Sequence, residues 1–255
     1  MKIATWNVNS LKVRLPHVLE WLAANQPDVL VLQEIKQVTE EFPVADFSAA
    51  GYQSLANGQK TYNGVAVISR SEISAPVFEF PNFADPQRRV LAATIDGARV
   101  VNLYIPNGAE VGSEKYAYKL GWLSTLRNFL ADELARHERL VVLGDFNIAP
   151  ADEDVHDPEG WGDAILCSPA ERQALRDLLA LGLTDVFRKF KHPEKTFSWW
   201  DYRAAGFRRN AGLRIDLILT TDPMTSACTA CYVDKEPRTW DRPSDHAPVV
   251  AEFGF

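Results

Sequence analysis

The sequence has no long apolar run, few cysteines and no excess of positive charge. No stretch approaches the roughly 20 apolar residues with which a helix crosses a bilayer, so we expect no membrane partner. The N-terminal segment, MKIATWN, carries polar residues too early for the apolar core of a signal peptide. We therefore expect a cytoplasmic protein.

The cysteines are Cys167, Cys228 and Cys231, and the last two form a C-x-x-C pair. One such pair supplies too few ligands for a structural zinc site, and no second pair or histidine cluster accompanies it. We interpret all three as reduced thiols, as is usual in a reducing compartment.

The formal net charge is −7 at pH 7. This excess of acid argues against a protein that coats nucleic acid non-specifically, because phosphate contacts need Lys and Arg. It leaves open a local basic rim around an acidic site. The candidate rim residues, which could equally be solvated surface charges, are Lys60, Arg88, Arg89, Arg203, Arg208, Arg209 and Arg214.

Short β-branched runs bounded by turn residues predict a series of strands. The runs 29–32 and 140–143 are apolar at consecutive positions, which is typical of strands covered on both faces. The predicted strands are Lys2–Val8, Asp28–Gln33, Gly64–Ser69, Val90–Asp96, Arg99–Ile105, Arg139–Gly144, Arg214–Thr220 and Ala247–Phe253.

Three helices fit between these strands. The first has Pro16 in its first turn, the second is capped by Ser113, and the third begins at Ser168-Pro169 and closes at Gly182. Their apolar stripes would cover two packed sheets, so one α/β sandwich domain over residues 1–255 is the simplest solution. The stripes are Leu15, Val18, Leu19 and Leu22; Leu120, Leu123, Leu126, Leu130 and Leu134; and Leu175, Leu178 and Leu179.

Four segments end an apolar run with polar residues rich in acceptor oxygens. A carboxylate directly after an apolar strand is expensive to bury unless it is paired or binds a metal. Any one of them alone indicates a surface or loop residue, but several in one chain suggest strand ends that converge on one cleft. The segments are Trp6–Asn9, Leu32–Glu34, Leu143–Asn147 and Ser244–His246.

Oxygen donors dominate these segments. Glu34 and Asp145 supply carboxylates, and Asn7 can add an amide oxygen. Such ligands suit Mg²⁺, with Mn²⁺ as an alternative, and leave positions for water and a substrate phosphate. Zinc fits less well, because His246 is the only well-placed imidazole.

His246 differs from the other four histidines, which lie in charge-rich helical or loop stretches where exposed surface positions explain them. It follows Asp245 and directly precedes a predicted strand. It could hold or protonate a phosphoryl oxygen if a second acid, such as Asp216, orients its other nitrogen. A purely structural histidine is the alternative.

Short motifs run through the chain from the first strand to the last. They are WNVNS at Trp6–Ser10, LQE at Leu32–Glu34, YNGVA at Tyr62–Ala66, YIPNG at Tyr104–Gly108, GDFN at Gly144–Asn147, FSWWDYR at Phe197–Arg203, GLRID at Gly212–Asp216 and SDHAP at Ser244–Pro248. Any one of them is a weak signal. As an ordered set they resemble the exonuclease III family of the endonuclease/exonuclease/phosphatase superfamily.

The resemblance implies a four-layer α-β-β-α sandwich, in which two mixed sheets pack face to face between helices. It also implies a Mg²⁺-dependent phosphodiesterase of DNA base-excision repair, which cuts double-stranded DNA at 3′ ends, at abasic sites, or at both. Glu34 matches the main metal ligand of the family. The candidate metal ligands as a set are Asn7, Glu34, Asp145, Asn147, Asp245 and His246.

The resemblance assigns further roles by position. Asp145 matches the acid that orients or deprotonates the attacking water, and the choice between these two roles stays open. The other candidate catalytic residues match those that hold the scissile phosphate or stabilise its charge. They are Tyr104 and Asn147, together with the substrate-binding Asn107, for the first role, and His246 with Asp216 for the second.

Superfamily members share this core, so DNA specificity would rest on residues outside it. The aromatic and basic segment around Trp199 and Trp200 could stack on a nucleotide or wedge beside it, although burial of both tryptophans in the core is the alternative. The candidate DNA-binding residues are Asn9, Asn107, Trp199, Arg203 and Arg214.

Two other classes of function remain. A phosphatase or phosphodiesterase that acts on a non-DNA phosphoester would turn over soluble substrates without salt-sensitive DNA binding. A non-catalytic binding module would have no use for the whole set of acids, asparagines and histidine. Within the family, we expect a monomer in which the bulky Leu166, in a loop beside the site, tunes abasic-site entry against 3′-end trimming.

Overall fold

The computed structural model describes residues 1–254, which form two mixed six-stranded sheets and a short two-stranded ribbon. In chain order the strands are β1 (Lys2–Asn7), β2 (Val29–Gln33), β3 (Gln53–Asn57), β4 (Val65–Ser69), β5 (Ser74–Val77), β6 (Val90–Ile95), β7 (Ala98–Tyr104), β8 (Leu140–Asp145), β9 (Thr184–Asp185), β10 (Trp199–Trp200), β11 (Gly212–Leu213), β12 (Asp216–Thr220), β13 (Cys228–Val233) and β14 (Val249–Phe253). The helices are α1 (Leu11–Asn25), α2 (Val44–Ala49), α3 (Glu114–Arg136), α4 (Pro158–Trp161), α5 (Pro169–Leu179) and α6 (Asp222–Ala227).

The two large sheets have the same pattern of strand directions. The first follows the order β13-β14-β1-β2-β4-β3 and the second the order β5-β6-β7-β8-β12-β9. In each, the two central strands, β1 with β2 and β7 with β8, are parallel, and all other neighbours are antiparallel. β10 and β11 form the separate ribbon.

The apolar runs of the central strands serve two layers at once. In β2, Val29 and Val31 face the core between the sheets, whereas Leu30 and Leu32 face α1. The second sheet does the same with β8, whose outer face packs against α3 and α5. Side chains that alternate between two buried faces explain why these strands are apolar at every position. The predicted four-layer α-β-β-α sandwich is therefore confirmed.

The predicted strands appear within two residues of their expected ends, but six further strands were not predicted, β3, β5, β9, β10, β11 and β13. Most of them are short or partly exposed, so their apolar pattern is weak. Two helix starts are as predicted: Ser113 Oγ accepts a hydrogen bond from Tyr116 N at 3.1 Å, and Ser168 forms a capping box with Glu171.

The position of Pro16 was predicted wrongly. Helix α1 begins at Leu11, so Pro16 lies inside it and not in its first turn. Pro16 and Lys12, whose carbonyl loses its helical partner, both lie on the exposed face, where water can hydrate that carbonyl. The four histidines that were expected at exposed positions are half-buried.

The cysteines are buried free thiols, and Cys228 and Cys231 lie on β13 with their side chains in the core between the sheets. None of the helices within residues 1–254 has the length and apolar character that a bilayer crossing requires.

Candidate active site at the ends of the two sheets

The polar residues that follow the apolar strands meet at one end of the sandwich. In the first sheet Asn7 ends β1, and Glu34 follows the last residue of β2. In the second sheet Tyr104 ends β7 and Asp145 ends β8. Asn7 joins the two sheets, since its Nδ2 donates to Glu34 Oε1 at 3.0 Å and to Asp145 Oδ2 at 2.8 Å.

The close approach of β7 and β8 depends on one glycine. Gly144 has φ 145°, and a Cβ there would lie 1.9 Å from the carbonyl oxygen of Leu103. No side chain fits this space. The glycine of the GDFN motif thus allows Asp145 to pair with Tyr104 across the parallel strands. On the first sheet, Glu34 turns the chain with a left-handed φ of 50°, which is uncommon outside glycine.

Asn7 orients the two carboxylates and does not offer them an oxygen. Its Oδ1 accepts a hydrogen bond from the backbone N–H of Asn9 at 3.0 Å, while its Nδ2 faces Glu34 and Asp145. Because both carboxylates are acceptors, the amide must present its nitrogen to them. In this network Asn7 Oδ1 has one donor, the N–H of Asn9, and binding of a metal through this oxygen stays a prediction.

Glu34 and Asp145 differ in protonation. Burial would raise the pKa of Glu34, but the charge of Lys36 at 2.9 Å and hydrogen bonds from Asn7 and Lys36 hold that pKa below its usual value. Asp145 is fully buried, and this burial raises its pKa to about 7; the nearby Asp216 raises it further, while His246 opposes the shift. Glu34 is therefore ionised at neutral pH, whereas Asp145 can exchange a proton there.

His246 and Asp216 form a buried pair beside Asp145. His246 Nδ1 lies 2.9 Å from Asp216 Oδ2, and its Nε2 lies 3.7 Å from Asp145 Oδ2. Burial would lower the pKa of His246, but Asp216 and Asp145 outweigh it and raise this pKa to about 10. An imidazolium has no free lone pair for a metal. With this pKa, His246 is a cation at neutral pH that can donate from Nε2, and its predicted role as a metal ligand stays a prediction.

Ser198 fixes the acid of this pair. Its hydroxyl donates to Asp216 Oδ2 at 2.6 Å, and the backbone N–H groups of Ile215 and Asp216 donate to the same Ser198 Oγ. Ser198 is buried, and its hydrogen bonds hold the Asp216 carboxylate in the orientation in which it faces His246. The sequence analysis did not single out Ser198, although it lies inside the quoted FSWWDYR motif.

The two asparagines lie next to each other, but only one is exposed. Asn147 Oδ1 accepts from Asn107 Nδ2 at 3.2 Å, and Asn147 Nδ2 donates to the carbonyl of Ile105 at 3.0 Å. Asn147 is buried, and its oxygen has one donor, Asn107 Nδ2; its predicted role as a metal ligand stays a prediction. Asn107 is exposed and keeps one amide hydrogen for a ligand.

The site has more carboxylates than cations. Four acids surround it, Glu34, Asp145, Asp216 and Asp245, against the cations Lys36 and His246. One ligand atom each from Glu34, Asp145 and His246 lies within 4.8 Å of the other two. The excess negative charge and the hard oxygen donors fit a divalent cation held by Glu34 and Asp145. Asp245 stands outside this group of three.

Asp245 belongs to a neighbouring network. Its Oδ1 accepts from Asn9 Nδ2 at 3.1 Å and its Oδ2 accepts from Trp199 Nε1 at 3.0 Å, so three of the predicted residues are brought together there. Lys36 joins the network through Asn9 Oδ1. Lys36 was not among the predicted site residues; its only signal in the sequence is its position two residues after Glu34.

The predicted basic rim is only partly at the surface. Arg203, Arg208 and Arg209 are exposed, and Arg203 also pairs with Asp201. Arg89 is buried beneath a surface cavity of about 450 Å³ that opens beside Asn107. Lys60 is exposed and Arg88 half-buried.

Arg214 does not reach the surface at all. It is buried and pairs with Asp154 at 2.6 Å and Asp185 at 2.8 Å. The prediction that it binds DNA is wrong, because this arginine is buried and pairs with the buried Asp154 and the half-buried Asp185. Trp200 is likewise in the core, whereas Trp199 is half-buried at the site.

Comparison with known proteins fits this geometry. Residues 4–246 match the model of the Endonuclease/Exonuclease/phosphatase family. The chain belongs to this family. Its members named below are nucleases or phosphatases, so the predictions of the family and of a hydrolase are confirmed.

The relatives within this family are similar over their whole length. Exodeoxyribonuclease III of Haemophilus influenzae is 36% identical over 267 aligned positions, which cover 99% of this chain and 100% of the relative. The solved 3′-5′ exonuclease NExo of Neisseria meningitidis is 52% identical with a TM-score of 0.98, and all of both chains is covered. An AP endonuclease structure from Archaeoglobus fulgidus is 40% identical with a TM-score of 0.96 and the same full coverage.

Proposed function

We propose that this protein is a Mg²⁺-dependent phosphodiesterase of DNA repair that hydrolyses double-stranded DNA from 3′ ends and incises it at abasic sites. The observation that carries the proposal is the set of groups at the site: a Glu34 that is ionised at neutral pH, an Asp145 with a pKa of about 7 and a His246 imidazolium lie together. Glu34 can bind a cation, Asp145 can act as a base, and the His246 imidazolium can donate a hydrogen bond to a developing negative charge. Phosphoester hydrolysis uses groups of these three kinds.

Each residue of the site has a separate role in this reaction. Asp145 can accept the proton of the attacking water at neutral pH, which an ordinary aspartate with a pKa near ~3.9 does poorly. His246, held by Asp216, can donate from Nε2 to a phosphoryl oxygen, and the exposed Asn107 amide can hold another. A divalent cation held by Glu34 and Asp145 would stabilise the charge that develops on the phosphate.

DNA as the substrate is supported by the names of the relatives and by the surface around the site. NExo is described as a 3′-5′ exonuclease and, bound to a product DNA hairpin, as a 3′ phosphatase. Trp199 and Tyr202 offer aromatic surface next to the exposed Arg203. A monomer in the cytoplasm that uses Mg²⁺ in preference to Mn²⁺ is part of the same proposal.

The test uses one labelled duplex that carries both an abasic analogue and a recessed 3′ end. Purified protein with Mg²⁺ is expected to cut at the analogue and to produce a ladder from the 3′ end, and a chelator and the Asp145→Asn variant should abolish both. A second duplex that ends in a 3′-phosphate tests phosphatase activity at the same end. Absence of every product, with turnover of a soluble phosphoester, would instead support the non-DNA alternative.

The balance between the two DNA activities is a second question, for which Leu166 is the relevant residue. Leu166 is buried, with a left-handed φ of 73°, in an apolar cluster against which Trp199 packs. Because Trp199 also contacts Asp245, this cluster adjoins the site. We propose that Leu166 fills space that an abasic sugar would need and so favours 3′-end trimming.

Leu166→Gly tests this idea, and the variant is expected to fold because glycine adopts a positive φ without strain. The ratio of abasic incision to 3′ trimming on the doubly modified duplex should rise severalfold. Leu213→Ala is the control, because it opens a cavity elsewhere in the same cluster. It should leave the ratio of abasic incision to 3′ trimming closer to that of the wild type. An unchanged ratio in Leu166→Gly contradicts the role of Leu166.

A further inference from the structure

A buried ion pair lies behind the two asparagines of the site. Lys119 of α3 and Glu171 in the first turn of α5 are both 0% exposed, and they contact each other directly. Neither residue reaches the site, and neither is needed as an acid, a base or a ligand in the reaction described above.

The ammonium of Lys119 ties together the loops that carry the asparagines. Besides Glu171, Lys119 Nζ donates to the backbone carbonyl of Asn107 at 3.1 Å and to that of Asn147 at 2.7 Å. Three N–H groups thus meet three acceptors, so the ammonium has no hydrogen-bonding capacity left over. The loops after β7 and β8 are therefore attached to one atom.

Glu171 extends the attachment to a third segment. Its Oε1 accepts from the backbone N–H of Leu166 at 3.1 Å, and its Oε2 accepts from Ser168 N at 3.1 Å and from Ser168 Oγ at 2.6 Å. Tyr116 of α3 closes the network from behind, with its hydroxyl 2.7 Å from Ser168 Oγ. The loop that contains Leu166 is thereby held to the same pair.

Packing around Gly108 shows how closely the first loop sits on the lysine. Gly108 has φ 90°, and a Cβ there would lie 3.1 Å from Lys119 Cδ and 2.9 Å from Ile165 Cδ1. The loop directly after Asn107 therefore rests on the Lys119 stem on one side and on the 165–168 segment on the other.

Stability alone does not account for such a pair. Replacing a buried ion pair by apolar residues of similar size is often neutral or stabilising, and most of the other buried positions of α3 are apolar, among them Trp122, Leu123 and Leu126. What an apolar side chain cannot do is donate hydrogen bonds to two backbone carbonyls at once.

We propose that Lys119 and Glu171 are positioning residues that fix the Asn107 and Asn147 loops relative to each other, and so fix the amide that Asn107 offers to the phosphate. The proposal rests on phosphoester hydrolysis at this site. It predicts that the pair acts on turnover through Asn107 and leaves the cation-binding acids unaffected.

The same helix offers a matched control pair. Arg99 of β7 and Glu133 near the end of α3 are also buried and in direct contact, but Arg99 lies at the opposite end of β7 from Tyr104. Lys119→Met/Glu171→Gln and Arg99→Met/Glu133→Gln therefore remove comparable buried charges, one pair next to the site and one far from it.

Turnover of the labelled duplex separates the two double variants. Lys119→Met/Glu171→Gln should lower kcat on the order of tenfold or more, with little change in KM or in the Mg²⁺ concentration for half-maximal rate. The control pair should keep the wild-type kcat, even if its thermal unfolding temperature falls as far. Equal kcat losses in both pairs would mean that the effect is general destabilisation.

A mutant cycle with Asn107→Ala tests whether the pair acts through Asn107. In the Lys119→Met/Glu171→Gln background, Asn107→Ala should cause little further loss of kcat, whereas in the control background it should cause its full loss. Additive losses in the first background overturn the proposal.

Two further measurements keep the proposal testable. If Lys119→Met/Glu171→Gln does not fold, Ser168→Ala is the substitute, because it removes a hydrogen bond to Glu171 and only one helix cap. A wild-type kcat in that variant overturns the proposal.

If the wild-type protein cleaves no DNA, the proposed function fails separately. The side-chain amide NMR signals of Asn107, assigned with Asn107→Ala, then decide: they should shift in the first double variant and not in the control.

Discussion

Each of the two sheets brings one carboxylate to the site, Glu34 after β2 in the first sheet and Asp145 at the end of β8 in the second. The strands before them are equivalent, since each belongs to the central parallel pair of its sheet. The Glu34 side chain is 19% exposed and lies against a lysine, whereas that of Asp145 is 2% exposed and has a second acid nearby.

This difference in surroundings separates two roles that the same functional group can perform. A neighbouring cation keeps Glu34 ionised, which suits a ligand for a divalent metal. Burial near Asp216 raises the pKa of Asp145 to about 7, which suits a group that must take up and release a proton. The environment after the strand, and not the strand, decides which carboxylate does what.

The largest expected effect comes from neutralising the carboxylate of the second sheet. Asp145→Asn keeps the shape of the side chain but removes the proton acceptor, so kcat should fall on the order of 10³-fold even at saturating Mg²⁺. Single-turnover kinetics on the labelled duplex measure it. A loss that high Mg²⁺ reverses would show that Asp145 acts mainly as a ligand, and the contrast between the sheets would collapse.

Removing the cation beside Asp145 should have the next largest effect. His246→Gln takes away a charged donor, and kcat should fall on the order of 100-fold. Since His246 lowers the pKa of Asp145, its removal should raise that pKa above about 7 and move the acidic limb of the pH–rate profile to higher pH. A limb that stays in place, or moves to lower pH, contradicts the coupling of the two groups.

The carboxylate of the first sheet should respond differently from Asp145. Glu34→Gln removes an anionic ligand, so the Mg²⁺ concentration for half-maximal rate should rise on the order of 100-fold, with partial recovery of kcat at high Mg²⁺. Without DNA, Mn²⁺ should raise the unfolding temperature of the wild type more than that of the variant. Glu41→Gln, an exposed acid outside the site, is the control and should behave as wild type.

The sequence predicted Glu34 and Asp145 as site residues, but it did not predict that their pKa values differ. Glu34 and Asp145 follow apolar runs, which is enough to place both at strand ends. Their protonation depends on Lys36 and on burial across the interface of two sheets, which no local pattern records. Amides were harder still: the sequence shows that Asn7 carries an amide, but only the structure shows that its nitrogen faces Glu34 and Asp145.

The prediction that Arg214 binds DNA was wrong because it relied on the neighbouring sequence alone. Its motif, GLRID, places it two residues from Asp216, and a basic residue beside the site indicates a phosphate contact. Its side chain is instead buried and pairs with Asp154 and Asp185, which lie far away in sequence. Long-range partners of this kind, like the Lys119–Glu171 pair, are visible only in the fold.

The smallest expected effect on kcat comes from Ser198, which contacts Asp216 and does not itself belong to the groups that act on the phosphate. Ser198→Ala removes the hydroxyl that holds Asp216 and leaves two buried N–H groups without an acceptor, so unfolding should become easier by about 1–3 kcal/mol. Because Asp216 can then rotate away from His246, kcat should also fall on the order of tenfold while the Mg²⁺ dependence stays unchanged. Ser69→Ala, a buried serine at the far end of the first sheet, is the matched control and should affect stability alone. If both variants lose stability and neither loses kcat, Asp216 is held by His246 itself, and the serine only completes the local hydrogen bonding.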